Sequence, residues 1–433
     1  MLKSKVNFFK EDISSNVEEE NKSEMMTEEQ EKVLIQEVSD YLNQFYPCLK
    51  LESLISKEAK DQLSQVVLER LGDEAKRNPA LADRIIHESI GLGVIEDILQ
   101  DQTITDISYN GIDLILENNE KKWKYPQKVT GEYINNLIGK LANADKKEFN
   151  DKSPILDMQL NNLRINAIHH TLAEKNTTMA IRVSREQRVL TKKEFLQLAP
   201  LETYYLLKSC VCSHCNMVLA GETGAGKTVL QQLLMSFIPF YERIVLVEDT
   251  PETHPNDLFP EKDIISWHGR SENKHGSVSE LIKASLRNNP KWVSVAEIRR
   301  AQEAYEWMQA LLSDHCGITT IHAIEAEAIP DRILNMVLEE NHVQEERYLD
   351  LIKKYVHIGV QLKVRNVNGK KIRYIQKIVV FDEELPYVIF TQRCLSDGTK
   401  AYKFEPLPEK LCERLIEFDQ EKIILELEEK MKK

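Results

Sequence analysis

The sequence contains no run of about 18 consecutive apolar residues, the length a membrane-spanning helix requires. Its start, MLKSKVNFFKEDISS, also lacks the apolar segment of a secretory signal. Both absences predict a chain that stays in the cytoplasm. Its seven cysteines are odd in number, and in that compartment a disulfide framework is not expected. Cys210, Cys212, His214 and Cys215 cluster, yet no second pair lies at zinc-finger spacing, so they read as small buried groups at a helix end. Positive charge is in deficit, with 57 Lys and Arg against 70 Asp and Glu and a net charge of -13. That balance argues against a general binder of phosphate backbones. Neither an internal repeat nor a recognisable nucleic-acid module is present.

What remains is a 433-residue chain with 42% apolar residues, enough for a sizeable core in two or three domains. Residues 1–30 are polar and acid-rich, which predicts a flexible acidic tail because little apolar surface offsets the entropy of ordering. From 31 to 90, Val33, Leu34, Val38 and Leu42, then Leu63, Val66, Val67 and Leu71, recur at helical spacing and predict a helical front section. Residues 91–186 predict a small α/β N-terminal domain, with strands near 104–109, 113–117, 121–125, 163–169 and 178–183 and a helix over 131–144. The last two strands each carry one arginine, Arg164 and Arg182. Residues 187–200, charged and closed by proline, read as a linker.

Over 201–433 strand and helix alternate, with strands near 217–220, 243–247, 292–296 and 317–321, which predicts a parallel sheet with covering helices. Two hairpins follow, turning at Asn368-Gly369 and Asp397-Gly398, and an amphipathic helix from about 409 closes the chain.

The chain is organised around GETGAGKT at 221–228, which fits G-x-x-x-x-G-K-[ST]. A buried strand precedes it, and Leu230, Leu233, Leu234 and Phe237 form one helix face after it, as a phosphate loop requires. Gly221, Gly224 and Gly226 permit the tight turn, and the backbone amides of Glu222, Thr223, Ala225 and Val229 share the cradle. Lys227 reaches the β and γ phosphates of ATP, and Thr228 ligates Mg2+. In a parallel sheet, ligands bind beyond the carboxyl ends of the strands. There the chain places Glu248, Asp249, Glu297 and His322. Water must be oriented and a metal shell held, and Glu248 and Glu297 divide those two tasks.

With these residues in hand, the chain resembles the secretion and pilus-assembly ATPases that include PilT, GspE, CpaF and the conjugative type IV secretion ATPases, the CpaF-like branch above all. The likeness spans 92–110, 157–167, 179–183, the GETGAGKT loop, the acidic Val247-Glu248-Asp249-Thr250, 285–290, the Walker B segment 295–299 and the histidine box 315–323. It implies an α/β fold with a RecA-like P-loop core. It also implies a homo-hexamer with ATP between two domains, inner-membrane platform partners and peripheral association with the cytoplasmic membrane. Glu248 would then handle the attacking water, Glu297 would be the Walker B acid beside the metal, His322 the histidine-box residue, and Arg164 and Arg182 would reach the nucleotide. Locally, Ala296 stands for the usual glycine, Ser313-Asp314-His315 for Thr-Gly-His, and Asn161-Asn162-Leu163 lacks the expected glycine. The four-cysteine zinc element of GspE-like members is absent. A RecA-like nucleic-acid motor and an ATP-binding regulator without turnover are the competing expectations.

Overall fold

The computed structural model describes residues 28–432 apart from 47–48, 50–52, 54–56, 91, 161–162, 185–188, 251–252, 270–274 and 383–385. Most of the expected tail, and the Asn161-Asn162 turn, lie outside the described residues. In the front section, helices Glu28–Phe45, Lys57–Leu71 and Pro79–Ile90 share a small core of Val38, Leu42, Leu63, Val67, Leu81 and Ile85. These positions recur three or four residues apart, so each helix presents one stripe inward.

The N-terminal sheet comprises β1 (Ile104–Tyr109), β2 (Leu114–Asn118), β3 (Lys122–Lys124), β4 (Ile155–Leu160), β5 (Leu163–Ile168) and β6 (Thr178–Val183), in the order β3-β2-β1-β6-β5-β4. Neighbours pair antiparallel throughout. Because side chains alternate across a strand, Leu156, Met158 and Leu160 of β4 and Met179, Ile181 and Val183 of β6 enter the core. Helix Gly131–Ala144 covers that face with Ile134, Leu137, Ile138 and Leu141, its first turn capped by Thr130 Oγ1, which accepts from the Tyr133 amide at 3.2 Å. The opposite face carries Arg182 and Arg164. β4 was not among the expected strands, since its outward residues Asp157 and Gln159 mask the apolar alternation.

The second sheet comprises β7 (Met217–Gly221), β8 (Ile244–Glu248), β9 (Ile264–His268), β10 (Trp292–Val295), β11 (Ile318–Ile321), β12 (Ile358–Val367), β13 (Lys370–Val380), β14 (Tyr387–Cys394) and β15 (Lys400–Phe404). Their order is β15-β14-β13-β12-β7-β11-β10-β8-β9. From β12 to β9 the pairs are parallel, and from β12 to β15 antiparallel. The expected hairpins are therefore part of the same sheet: β12 lies parallel beside β7, with Ile358 opposite Met217 and Leu362 opposite Gly221.

Helices cover both faces. Met217 and Leu219 pack with helices Leu201–Cys212 and Lys227–Ser236, whereas Val218 and Ala220 pack with Val278–Ser285, Ala301–Leu312 and Ile329–Leu338. This is a doubly covered α/β core of the RecA-like kind. The sequence did not announce edge strand β9, whose residues are only half-buried, or the charge-rich helix Glu345–Tyr355. The closing helix is two, Glu409–Glu417 and Lys422–Met431, separated where Asp419 takes φ 56°.

Candidate active site

Strands β7, β8, β10 and β11 run parallel, so their carboxyl ends deliver Gly221, Glu248, Glu297 and His322 to one edge. Gly221 has φ 154°, and a Cβ built there would lie 2.5 Å from the Leu362 carbonyl oxygen. The pairing of β12 with β7 therefore imposes a glycine at this position. Gly226, at φ 94°, turns the chain into helix Lys227–Ser236. Gln231 locks that helix to the sheet, its Nε2 donating to the Val295 carbonyl at 2.9 Å and the Ile318 carbonyl at 3.1 Å.

Lys227 is buried beneath its own loop. Its Nζ donates to the Gly221 carbonyl at 2.7 Å and the Glu222 carbonyl at 3.4 Å, and lies 3.8 Å from Glu297 Oε1. Burial lowers its pKa most; Glu297 opposes the shift, while the cations Arg299 and Arg182 add to it.

Glu297 is the hub. His322 Nε2 lies 2.9 Å from its Oε1, and Arg299 Nη2 lies 2.6 Å from its Oε2. Arg299 also bonds Asp249, Nη1 to Oδ2 at 3.2 Å, tying the ends of β8 and β10 together. Glu303 fixes this loop by accepting from the amides of Arg299 at 2.8 Å and Arg300 at 3.1 Å, and its burial raises its pKa. Arg299 and Glu303 were not assigned roles from the sequence, where neither stands out from other charged residues.

Glu248 has different company. It is 1% exposed, and its Oε1 accepts from the Thr253 amide at 3.1 Å and the Thr253 hydroxyl at 2.6 Å. His268 Nε2 lies 3.9 Å from its Oε2. Its carboxylate is held by Thr253, in the segment after β8.

Arg164 and Arg182 are direct cross-strand partners on β5 and β6, in a row with Asp106 of β1 and Gln159 of β4. Placing like charges opposite each other opposes folding slightly. Arg164 Nη2 reaches Asp157 Oδ2 only at 4.0 Å, and Arg182 is exposed.

A profile described as type II/IV secretion system protein matches residues 127–365, over half of the chain. The chain belongs to that family. As a member it is a P-loop traffic ATPase. An uncharacterized protein of Bacillus anthracis is 35% identical over 390 residues, 86% of this chain and 87% of its own. The type IV secretion system protein VirB11 of Brucella suis is 34% identical over 187 residues, 41% of this chain and 50% of the Brucella protein. The chain therefore matches half the length of that relative. A solved structure of the Brucella suis VirB11 ATPase in complex with sulphate aligns at 24% identity and TM-score 0.36, over 66% of this chain and 92% of that one.

Two further features of this traffic ATPase bear on the site. Arg373 of β13 donates from Nε to the Gly224 carbonyl of the phosphate loop at 2.7 Å, although its sequence context of alternating Lys and Arg gave no sign of it. Cys210 and Cys215 are fully buried beside Arg414, which donates to the Ser213 carbonyl at 2.8 Å and the His214 carbonyl at 3.0 Å. Those cysteines are thus packed at a helix end. Among the described residues, the grouping with metal-ligand spacing is Asp151, His169 and His170 at the far end of β5; Asp151 and His170 are exposed polar surface. No described helix is long and apolar enough to cross a membrane.

Proposed function

We propose that the chain hydrolyses ATP to ADP and phosphate in the cleft between its N-terminal and RecA-like domains and couples that cycle to translocation or assembly in a secretion, conjugation or pilus machine. The observation that carries this reading is the convergence of Lys227, Glu297, His322 and Arg299 at one sheet edge. A nucleotide seated there would find its phosphates over the loop amides. Lys227 would exchange the Gly221 and Glu222 carbonyls for the β and γ oxygens. His322 and Arg299 would orient Glu297, and Arg164 and Arg182 would stabilise charge on the departing phosphate. Glu248, held by Thr253 through Oε1, would turn its second oxygen, Oε2, to an attacking water.

Thr228 and Glu297 supply oxygen donors, the hard ligands that magnesium takes, so the residues present fit that ion. When bound, Mg2+ would neutralise charge between the β and γ phosphates. Family membership and the Brucella relative, a type IV secretion protein by name, support a place in a secretion machine, where the chain would work as a homo-hexameric ring at the inner face of the cytoplasmic membrane, bound to inner-membrane components. The test is ATP turnover by the purified chain with Lys227→Ala as the blank, alongside its mass by sedimentation. Turnover that survives Lys227→Ala, or no turnover by the wild type with magnesium, would refute the reading.

A further inference from the structure

Arg373 touches two domains with one side chain. Its Nε donates to the Gly224 carbonyl at 2.7 Å, its Nη1 to the Asn119 carbonyl at 3.0 Å, and its Nη2 to Asn119 Oδ1 at 3.4 Å. Gly224 belongs to the phosphate loop, and Asn119 to the turn between β2 and β3 of the N-terminal domain. Two residues earlier on β13, the Lys371 amide donates to the Glu120 carbonyl at 3.2 Å and the Lys371 ammonium pairs with Glu117. A short stretch of β13 therefore binds the 117–120 segment along its length.

Three features make this more than surface pairing. A guanidinium is a planar fork whose donors diverge at fixed angles, so engaging acceptors in both domains at once fixes their separation, which a lysine cannot do. Gly224 and Gly226 both have positive φ, at 77° and 94°, and neither carries a side chain, so the Arg373 bond to the Gly224 carbonyl restrains this part of the loop from outside. Finally, a donor on the Gly224 carbonyl polarises the Gly224–Ala225 peptide, whose amide donates to the Glu222 carbonyl at 3.2 Å, so the guanidinium reinforces the turn's own hydrogen bond. The guanidinium is half-buried, which lowers its pKa, and the Glu117 charge opposes that shift.

We infer that Arg373 is a positioning residue for ATP hydrolysis: it ties the shape of the phosphate loop to the apposition of the N-terminal domain, so that loop and interdomain cleft rearrange as one unit. This rests on the cleft being the ATP site. It adds a contact from the antiparallel wing of the sheet, on the far side of β12 from the phosphate loop's own strand.

The test uses the full chain with Arg373→Ala, Arg373→Gln and Arg373→Lys. In Arg373→Ala and Arg373→Gln, kcat falls about tenfold while KM stays within about threefold, the split expected when a bound substrate is misaligned rather than released. Arg373→Lys recovers less than about a third of the lost rate, since a point charge cannot hold both acceptors. Hydrogen exchange at the Lys371 amide quickens and stops responding to ATP. The thermal midpoint of Arg373→Gln, which keeps bulk and donors, remains within a few degrees of wild type and so separates positioning from folding. A kcat within twofold of wild type in folded Arg373→Gln, or unchanged Lys371 exchange, overturns the inference. Failure of the ATP site itself would show differently, as absent turnover in the wild type.

Discussion

Lys227 Nζ and Glu297 Oε1 stand 3.8 Å apart, while each is claimed by closer partners: the lysine by the Gly221 carbonyl at 2.7 Å, the carboxylate by His322 at 2.9 Å. The pair is poised rather than closed. A phosphate arriving between loop and carboxylate offers the lysine a charged acceptor in place of a neutral one, and charge-assisted bonds are roughly twice as strong.

Replacing Lys227 with alanine is therefore expected to abolish ATP turnover, since its ammonium is the charge that bonds the loop carbonyls at Gly221 and Glu222. Nucleotide affinity measured by a fluorescent ATP analogue should drop at least about tenfold, with the thermal transition retained. Near-normal turnover in the folded variant would remove the phosphate loop from the chemistry.

Glu297→Gln keeps the shape but loses the charge that His322 and Arg299 face. ATP should bind and hydrolysis should slow by about 10² or more, leaving trapped ATP detectable after rapid desalting. Lost affinity with normal turnover per bound nucleotide would make Glu297 structural.

Arg164 and Arg182 predict a paired effect. If they stabilise the leaving phosphate, Arg164→Ala and Arg182→Ala each lower kcat, by up to about 10³-fold, with modest change in affinity. As surface cations they would contribute only about 0–1 kcal/mol to stability. Two variants with wild-type kcat would show that the N-terminal domain does not share the nucleotide.

His357 gives a pH prediction at the base of the same sheet. It accepts from the Asn216 amide through Nδ1 at 2.8 Å and sits 3.3 Å from Arg414, so burial, then the Arg414 charge, lower its pKa from 6.5 to about 3. The unfolded chain binds this proton below pH 6.5 and the folded chain does not. The contribution is thus full above about pH 6.5 and declines as pH falls toward 3. It amounts to about 2 kcal/mol lost by pH 5 relative to neutral pH. Thermal midpoints between pH 7.5 and 5 should fall less steeply in His357→Gln; parallel slopes would contradict this.

The GETGAGKT loop, the strand and helix around it, and the acids and histidine at the strand ends were legible in the sequence because each depends on local rules. Glycines occur where φ must be positive, apolar runs mark strands buried on both faces, and the first polar residue after a strand marks its end. The N-terminal strands carrying Arg164 and Arg182 were legible for the same reason. Tertiary structure decided what local rules cannot encode. It placed β12 against β7, which merged the hairpins into one sheet and required Gly221 to lack a side chain. It turned Glu248 toward Thr253 and Glu297 toward Lys227, although both are carboxylates at strand ends. It also brought Arg373, 149 residues beyond Gly224, onto the loop. A side chain's partner depends on which strands become neighbours, and that follows from burying the whole sheet at once.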